Sequence, residues 1–213
     1  MAKPSDKVFL DVSTQAYKNN PASMVDGFRL LRATSTINAY INDAQKVIII
    51  GVRGTELKDS QDLKADASLP FNKLKSIDRY QKDAEFVRSV LSQFPGHQVF
   101  LTGHSLGGAI DNQLKRDFPQ LRDAVEFNPA FQSKDLIYQQ PGIKRYYVST
   151  DPLYRLGGRL FRGNIVVPPG STTGIGLIDA LQGHRLAQFS TPISQGTEKF
   201  SGSGGYGIGL LGR

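Results

Sequence analysis

Hydrophobic residues along the chain fall into short β-branched runs separated by longer amphipathic stretches. The run KVIIIGV (residues 46–52) is almost continuously apolar, which is typical of a strand buried on both faces of a sheet. HQVFLTG (97–103) is a second such run. Further strand candidates are DGFRLLRATSTINAYI (26–41), which alternates imperfectly, DAVEFN (123–128), IKRYYVST (143–150) and GNIVVP (163–168).

Two stretches between these runs have helical periodicity. Residues 72–94 place apolar side chains three or four positions apart, so that they share one helix face before Pro95-Gly96 ends the pattern: Leu74, Ile77, Tyr80, Ala84, Val87, Leu91 and Phe94. Residues 106–118 read as a second helix, and 173–189 as partly helical. Alternating strands and helices predict an α/β fold, with a mostly parallel central sheet flanked by helices.

The pattern predicts one minimal domain over residues 1–200, of which the first 20 or so look irregular. Residues 201–213 (SGSGGYGIGLLGR) are rich in glycine and are predicted to form a flexible tail. A G-x-G-x-x-G match from Gly202 to Gly207 lies in this tail, with neither a strand before it nor a helix after it, and is attributed to composition.

The composition excludes several kinds of site and indicates the kind of partner. The 213 residues include no cysteine, which excludes disulfides, thiolate metal sites and a cysteine nucleophile. The formal charge of +7 favours anionic partners, although it could also serve solubility alone. We find no nucleic-acid-binding motif, no transmembrane segment and no signal peptide, so a cytoplasmic location or release by a non-classical route is expected.

The segment FLTGHSLGGAI (100–110) contains a G-x-S-x-G motif centred on Ser105. A serine hydroxyl becomes a nucleophile only with a base to take its proton and donors to stabilise the oxyanion. The motif supplies a tight turn between a strand and a helix, where small residues on either side leave room for an exposed serine. The predicted strand before Ser105 and helix after it match that context.

The base must come from three histidines. His104 adjoins Ser105 and is predicted to pack beneath the turn, because adjacent side chains on a sharp turn point apart. His97 lies at the far end of the incoming strand. His184 remains, and it follows Ser105 in the order Ser, acid, His that α/β-hydrolases use.

The acid that orients this histidine should lie between Ser105 and His184, just past a strand. Asp151 directly follows the strand candidate ending in YYVST, where ligand-facing groups gather in open α/β sheets. Asp179 is the alternative, and an ordinary Asp-Pro surface turn is the non-catalytic interpretation of Asp151.

Two donors are needed for the oxyanion. The backbone N–H of Leu106, the residue after the nucleophile, is one, and the second usually comes from a loop after an earlier strand. Thr55, in the segment Arg53-Gly54-Thr55 after the first buried strand, could supply a backbone N–H and a hydroxyl. The same segment could also be a plain turn.

Taken together, these motifs resemble the class 3 (fungal-type) lipases of the α/β-hydrolase superfamily. The matching features, spanning about residues 12–190, are VIIIGVRGTELKDSQDLKADASL, VFLTGHSLGGAI, FNPA, YYVSTDPLYRL and HRLAQF. The resemblance implies Ser105 as nucleophile, Asp151 as acid, His184 as base, and Thr55 with Leu106 as the oxyanion hole. It also places a mobile lid after Thr55. The chain lacks the His-x-Gly-Phe element, the signal peptide and the disulfides that are common in the family.

The expected function is a serine-dependent hydrolysis of carboxylic esters in acyl lipids, without a metal or organic cofactor. The expected partner is an acyl-lipid substrate, with an anionic membrane or micelle interface favoured by the basic charge. Phospholipase, small-ester esterase and acyltransferase activities remain open on the same triad, as does a non-catalytic lipid-binding role. Asp59, Asp62 and Asp66 could line one helix face and bind calcium, but a solvated face of a lid helix is favoured because calcium-binding loops usually also supply glycine and carbonyl ligands.

Overall fold

The computed structural model describes most of the chain. The described residues are 3–55, 78–169, 185–189, 193 and 199–200. The proposed lid with Asp59, Asp62 and Asp66, the alternative acid Asp179 and the glycine-rich tail lie outside them. The boundary predicted at residue 200 therefore remains a prediction.

Nine strands of the described chain form one sheet, and each pairs with its neighbours in chain order. Their bounds are β1 Met24–Val25, β2 Phe28–Ala33, β3 Ile37–Asn42, β4 Val47–Val52, β5 Gln98–His104, β6 Ala124–Phe127, β7 Ile143–Val148, β8 Ile165–Val167 and β9 Lys199–Phe200. Strands β4 to β8 are parallel, whereas β1 to β4 form an antiparallel meander and β9 pairs antiparallel with β8. The α/β class with a mostly parallel central sheet is thus confirmed.

Helices cover both faces of this sheet. They are α1 Asp6–Gln15, α2 Asp78–Gln93, α3 Leu106–Asp117, α4 Ser133–Ile137 and α5 Pro152–Leu156, with single 3-10 turns at Gly158–Leu160 and Leu186–Phe189. Among the described helices, α2 and α3 pack on one face, and α1 packs on the other. No described helix has the length and hydropathy of a membrane span.

Strand β4 shows why the continuous apolar run predicted a doubly buried strand. All six of its residues are buried. Val47 and Ile49 belong to the hydrophobic cluster on the α1 side, while Ile48 and Ile50 belong to the cluster under α2 and α3. Because alternate side chains of a strand point to opposite faces, both faces must be apolar when both are covered.

The prediction that the first 20 residues are irregular is wrong. Residues 6–15 form α1, which buries Val8, Phe9 and Val12 against the sheet. Hydrogen bonds from Asn38 Nδ2 to the Val12 carbonyl (3.3 Å) and from Thr102 Oγ1 to the Phe9 carbonyl (3.2 Å) fix its position. A ten-residue helix is marginal by itself, so its docking on the sheet provides the stability that local sequence does not.

Candidate active site

Ser105 lies on a sharp turn between β5 and α3. Its backbone has φ 55° and ψ −125°, a conformation that costs a non-glycine residue about 1–3 kcal/mol and persists only where the surroundings enforce it. The Ser105 N–H donates to the Phe127 carbonyl (3.2 Å), and the Ser105 carbonyl accepts from the N–H of Ala130 (2.9 Å). Hydrogen bonds to β6 and to the loop after it therefore maintain the strained backbone conformation of Ser105.

The glycines of the motif are required by close backbone packing. A Cβ added at Gly107 would lie 2.2 Å from the Val52 carbonyl oxygen, and one at Gly103 would lie 2.6 Å from the Gly107 carbonyl carbon. No real Cβ tolerates such distances, so larger residues would push α3 away from β4 and β5. The tight strand-to-helix turn expected from the G-x-S-x-G motif, called the nucleophile turn after its candidate nucleophile Ser105, is present.

The Ser105 side chain precedes the twelve-residue helix α3 without making a capping hydrogen bond to it. The unpaired N–H groups of the first turn and the helix dipole favour negative charge at this end. Leu106, the first residue of α3, contributes one of these N–H groups. Its backbone is thus suitably placed to donate to an oxyanion at Ser105.

The loop carrying Thr55 lies directly against the nucleophile turn. Val52, at the end of β4, pairs with Gly103 across the parallel sheet. A Cβ added at Gly54 would be 2.9 Å from the Ser105 Cβ and 2.5 Å from the His104 carbonyl oxygen. Thr55 is half-buried one residue further on. The structure therefore brings the predicted second donor segment to Ser105.

Asp151 is fully buried beyond the carboxyl end of β7, two strands across from β5. Its Oδ1 accepts from the N–H groups of Leu153 (2.7 Å) and Tyr154 (3.1 Å), so Asp151 caps helix α5. These donors fix the carboxylate in one orientation. Burial and a built hydrogen-bonding environment distinguish Asp151 from an ordinary Asp-Pro surface turn.

The structure separates the roles of the histidines that it describes. His97 precedes β5 and packs edge-on against Phe94, with ring centroids 5.3 Å apart. His104 points to Tyr17, whose hydroxyl lies 2.7 Å from its Nδ1. His184 lies outside the described residues. Its assignment as the base stays a prediction.

The described segment after position 184 is anchored to the strands next to the site. Phe189 is buried, and its ring lies 5.3 Å from that of Phe127 on β6 and 6.4 Å from that of Tyr146 on β7. The chain therefore returns to the sheet beside β6 and β7. Ala130 lies in the loop after β6, and Asp151 lies in the loop after β7.

Two carboxyl groups near the nucleophile turn, one on α3 and one on β6, are buried, and this burial was not predicted from the sequence. Asp111 and Glu126 are both fully buried. Burial, reinforced by the Glu126 carboxyl, raises the pKa of Asp111 well above its usual value. Burial also raises the pKa of Glu126 to about 8, against the opposing effect of Arg145, whose Nε is 3.3 Å away. Asp111 falls in the helix predicted over residues 106–118, and Glu126 falls in the strand candidate DAVEFN, but the sequence gives no sign that either carboxyl is buried.

Within the described residues, no group of three or more histidine, aspartate and glutamate side chains could hold a metal ion. The three aspartates of the possible calcium site, Asp59, Asp62 and Asp66, lie outside the described residues. The arrangement that is described can support a serine nucleophile, an oxyanion and a buried, oriented carboxylate.

Comparison with known sequences places the matched region over the site. A family described as serine aminopeptidase, S33, matches residues 71–162, which is less than half of the chain but includes Ser105 and Asp151. No curated protein matches the sequence.

Solved structures share the fold at low sequence identity. The lipase of Rhizomucor miehei in complex with its propeptide superposes with a TM-score of 0.56 at 16% identity, covering 88% of this chain and 80% of that one. A triacylglycerol lipase described as having a serine protease triad at its catalytic centre gives 0.57 at 17% identity, over 85% and 95%. The lipase of Rhizopus microsporus var. chinensis gives 0.52 at 18% identity, over 76% and 72%.

These similarities show the α/β-hydrolase fold and confirm, at the level of the fold, the resemblance to fungal lipases noted in the sequence. At such identities the activity has to be argued from the site itself.

Proposed function

We propose that this protein is a serine hydrolase that cleaves carboxylic esters of acyl lipids. The observation that supports this most is the strained backbone of Ser105 at the start of α3, with the Arg53–Thr55 loop packed against it. A strained serine between a strand and a helix is costly and is typical of nucleophile turns, although the Ser105 residue is only 7% exposed in this structure. The buried, hydrogen-bonded Asp151 adds a carboxylate suited to orienting a base.

In the proposed reaction, Ser105 Oγ attacks the ester carbonyl carbon while His184 takes the hydroxyl proton. The electron pair of the carbonyl moves onto oxygen, and the N–H of Leu106 together with Thr55 stabilises this oxyanion. Collapse of the tetrahedral intermediate breaks the bond to the alcohol, which receives the proton from His184. Water then attacks the acyl-enzyme by the same steps and releases the fatty acid.

Asp151 holds the imidazole of His184 in the tautomer that accepts a proton from Ser105. Its carboxylate can do this because the amides of Leu153 and Tyr154 fix its orientation. This role depends on the position of His184 and is proposed on the order of the residues in the chain.

An acyl lipid is the favoured substrate class for two reasons. Lipases are among the structures that share this fold over most of their length. The basic charge of the chain, +7, would also draw it to anionic membranes or micelles, where acyl lipids are presented.

Labelling with a fluorophosphonate tests the catalytic proposal. We expect the wild-type protein to be labelled at Ser105 and the Ser105→Ala variant to remain unlabelled while folded, as judged by circular dichroism. A folded wild-type protein that is never labelled would contradict the proposal and favour a non-catalytic lipid-binding role.

The substrate class is tested by comparing hydrolysis of short-chain esters, triacylglycerol emulsions and phospholipid vesicles. We expect long-chain lipid substrates to be preferred. Activity confined to soluble short-chain esters would instead assign a small-ester esterase.

A further inference from the structure

The Arg53–Thr55 loop, which carries the proposed oxyanion donor, is held by hydrogen bonds from three separate elements. The Arg53 N–H donates to the Thr36 carbonyl (2.9 Å) in the turn before β3. The guanidinium of Arg79, on α2, donates to the Arg53 carbonyl. The Gly54 N–H donates to the hydroxyl of Tyr17 (2.8 Å), just beyond α1. None of these contacts was anticipated from the sequence.

The Tyr17 hydroxyl joins this loop to the nucleophile turn. It lies 2.8 Å from the Gly54 nitrogen and 2.7 Å from Nδ1 of His104, the residue before Ser105. A backbone N–H can only donate, so the Tyr17 oxygen accepts from Gly54. Its own proton is then available to His104 Nδ1, an arrangement that suits a His104 carrying its proton on Nε2.

Packing prevents this loop from moving inward. At Gly54, an added Cβ would meet the Tyr17 hydroxyl at 2.5 Å and the Ser105 Cβ at 2.9 Å. Motion away from Ser105 is opposed by the hydrogen bonds to the loop. Among them, the bond from Gly54 is the one whose acceptor also contacts the nucleophile turn.

We propose that Tyr17 is a positioning residue, which sets the distance between the Thr55 and Leu106 donors by fixing the Arg53–Thr55 loop to His104. This inference rests on the proposed serine hydrolase function. Tyr17 touches no reacting atom, and it acts through Gly54 and His104.

The physical reason is the steep dependence of oxyanion stabilisation on geometry. Donors must stand about 2.7–3.1 Å from the oxyanion, and losing one costs a factor of about 10²–10³ in kcat. A displacement of about 1 Å can cost a factor of about 10². The Tyr17 hydroxyl contacts Gly54, next to Thr55, and His104, two residues before Leu106. Its loss would therefore change the distance between the two proposed oxyanion donors.

The Tyr17→Phe variant of the full chain tests this role, because it removes the hydroxyl and keeps the ring. We expect kcat and the rate of fluorophosphonate labelling to fall by about 10- to 100-fold, with KM changed less than about threefold. A boronic acid, which binds as a tetrahedral adduct, should lose affinity by a similar factor, whereas the product carboxylic acid should not.

Tyr40→Phe is the matched control. The Tyr40 hydroxyl donates to the Ala22 carbonyl (2.7 Å), and its ring is fully buried on β3. This variant also loses a buried hydroxyl and its hydrogen bond, so its melting temperature reports the purely structural cost. We expect its kcat and labelling rate to match those of the wild type.

Hydrogen exchange at the Gly54 amide provides a readout that needs no catalysis. We expect exchange at Gly54 to be faster in Tyr17→Phe and unchanged in Tyr40→Phe. Labelling at wild-type rate in Tyr17→Phe, or equal losses in both variants, would overturn the role of Tyr17. A wild-type protein that is not labelled at Ser105 would instead overturn the proposed function, and with it the catalytic purpose of Tyr17.

Discussion

Asp111 illustrates how the environment of one residue sets its charge. It lies on α3, six residues after Ser105, and its carboxyl is so close to Gly103 that an added Cβ there would be 2.5 Å from Oδ2. Neither carboxyl oxygen has a hydrogen-bond partner within the described part of the chain. Burial without partners disfavours the charged form, and the pKa of Asp111 is accordingly raised well above its usual value.

This raised pKa predicts a pH dependence of stability. From about 3.8, the ordinary pKa of the group, up to its raised value, the folded protein binds one more proton at Asp111 than the unfolded chain does. The free energy of unfolding must therefore fall as pH rises through that window. Asparagine resembles the neutral acid, so we expect the free energy of unfolding of Asp111→Asn to fall less than that of the wild type as pH rises above 3.8.

Urea unfolding at several pH values measures this difference. Asp43→Asn, which changes an exposed carboxylate paired with Arg29, is the control and should keep the wild-type slope. Parallel pH profiles for Asp111→Asn and the wild type would show that Asp111 is not neutral in the folded protein.

At the scale of elements, Asp151 is the last residue of the short connection between β7 and α5, and its side chain caps α5. Its side chain satisfies two backbone N–H groups of a five-residue helix that has Pro152 at its first position. The same hydrogen bonds that stabilise the helix orient the carboxylate. Stability and the proposed catalytic role are thus coupled in one side chain, and two substitutions can separate them.

We expect Asp151→Asn to keep the cap and lose the carboxylate. Its stability should stay within about 1 kcal/mol of wild type, while kcat falls by about 10³–10⁴ because the histidine tautomer is no longer fixed. Asp151→Ala should lose activity and a further 0.5–2 kcal/mol, roughly, of stability. Ester hydrolysis and urea unfolding of both variants provide the measurements.

Asp179→Asn is the comparison for this pair, since Asp179 is the alternative acid in the sequence. It should leave kcat near the wild-type value. The reverse pattern, with Asp151→Asn active and Asp179→Asn inactive, would move the role of the acid to Asp179.

At the scale of the whole molecule, the positive charge is unevenly distributed. Between Asp135 and Asp179 the sequence has five basic residues and a single acidic one, the buried Asp151. Arg155, Arg159 and Arg162 are exposed, and none has a carboxylate within 4.0 Å in the described structure. Exposed leucines lie beside them at positions 156 and 160.

Arginines next to exposed leucines favour contact with anionic lipid, because both headgroup charge and acyl chains find partners. Each basic residue near an anionic surface contributes about 1 kcal/mol, so changing all three of these arginines to Gln should weaken binding up to about a hundredfold. We expect this loss for the full-length Ser105→Ala protein on vesicles that contain phosphatidylglycerol, measured by co-sedimentation.

The control changes three other exposed basic residues, Lys46, Lys82 and Arg122, to Gln. It lowers the net charge equally and should retain most of the binding. Equal losses in both triple variants would attribute binding to net charge alone. Binding of the same strength to neutral phosphatidylcholine vesicles would contradict the electrostatic contribution.

The sequence by itself determined the α/β class, the positions of the central strands along the chain and the turn at Ser105. The patterns that reveal these features are local: a continuous β-branched run such as β4 is apolar on both faces, and the G-x-S-x-G motif lies within a single turn, although the close contact that requires Gly107 is made with Val52 on β4. Thr55, Leu106 and Asp151 were chosen as candidate site residues from their positions, because the carboxyl ends of parallel strands meet at one edge of the sheet. The structure places all three residues at that edge.

Only the tertiary structure decided what surrounds these residues. Helix α1, the contact of Tyr17 with Gly54 and His104, and the burial of Asp111 and Glu126 all depend on residues far apart in the chain. Hydrogen-bond partners and the dielectric environment of a side chain are set when helices and strands pack together. The pattern of one segment does not indicate which other segment will contact it. A candidate nucleophile such as Ser105 can therefore be proposed from its own turn. The contacts of Tyr17 with the Arg53–Thr55 loop and the raised pKa of Asp111 and Glu126 become visible only in the folded chain.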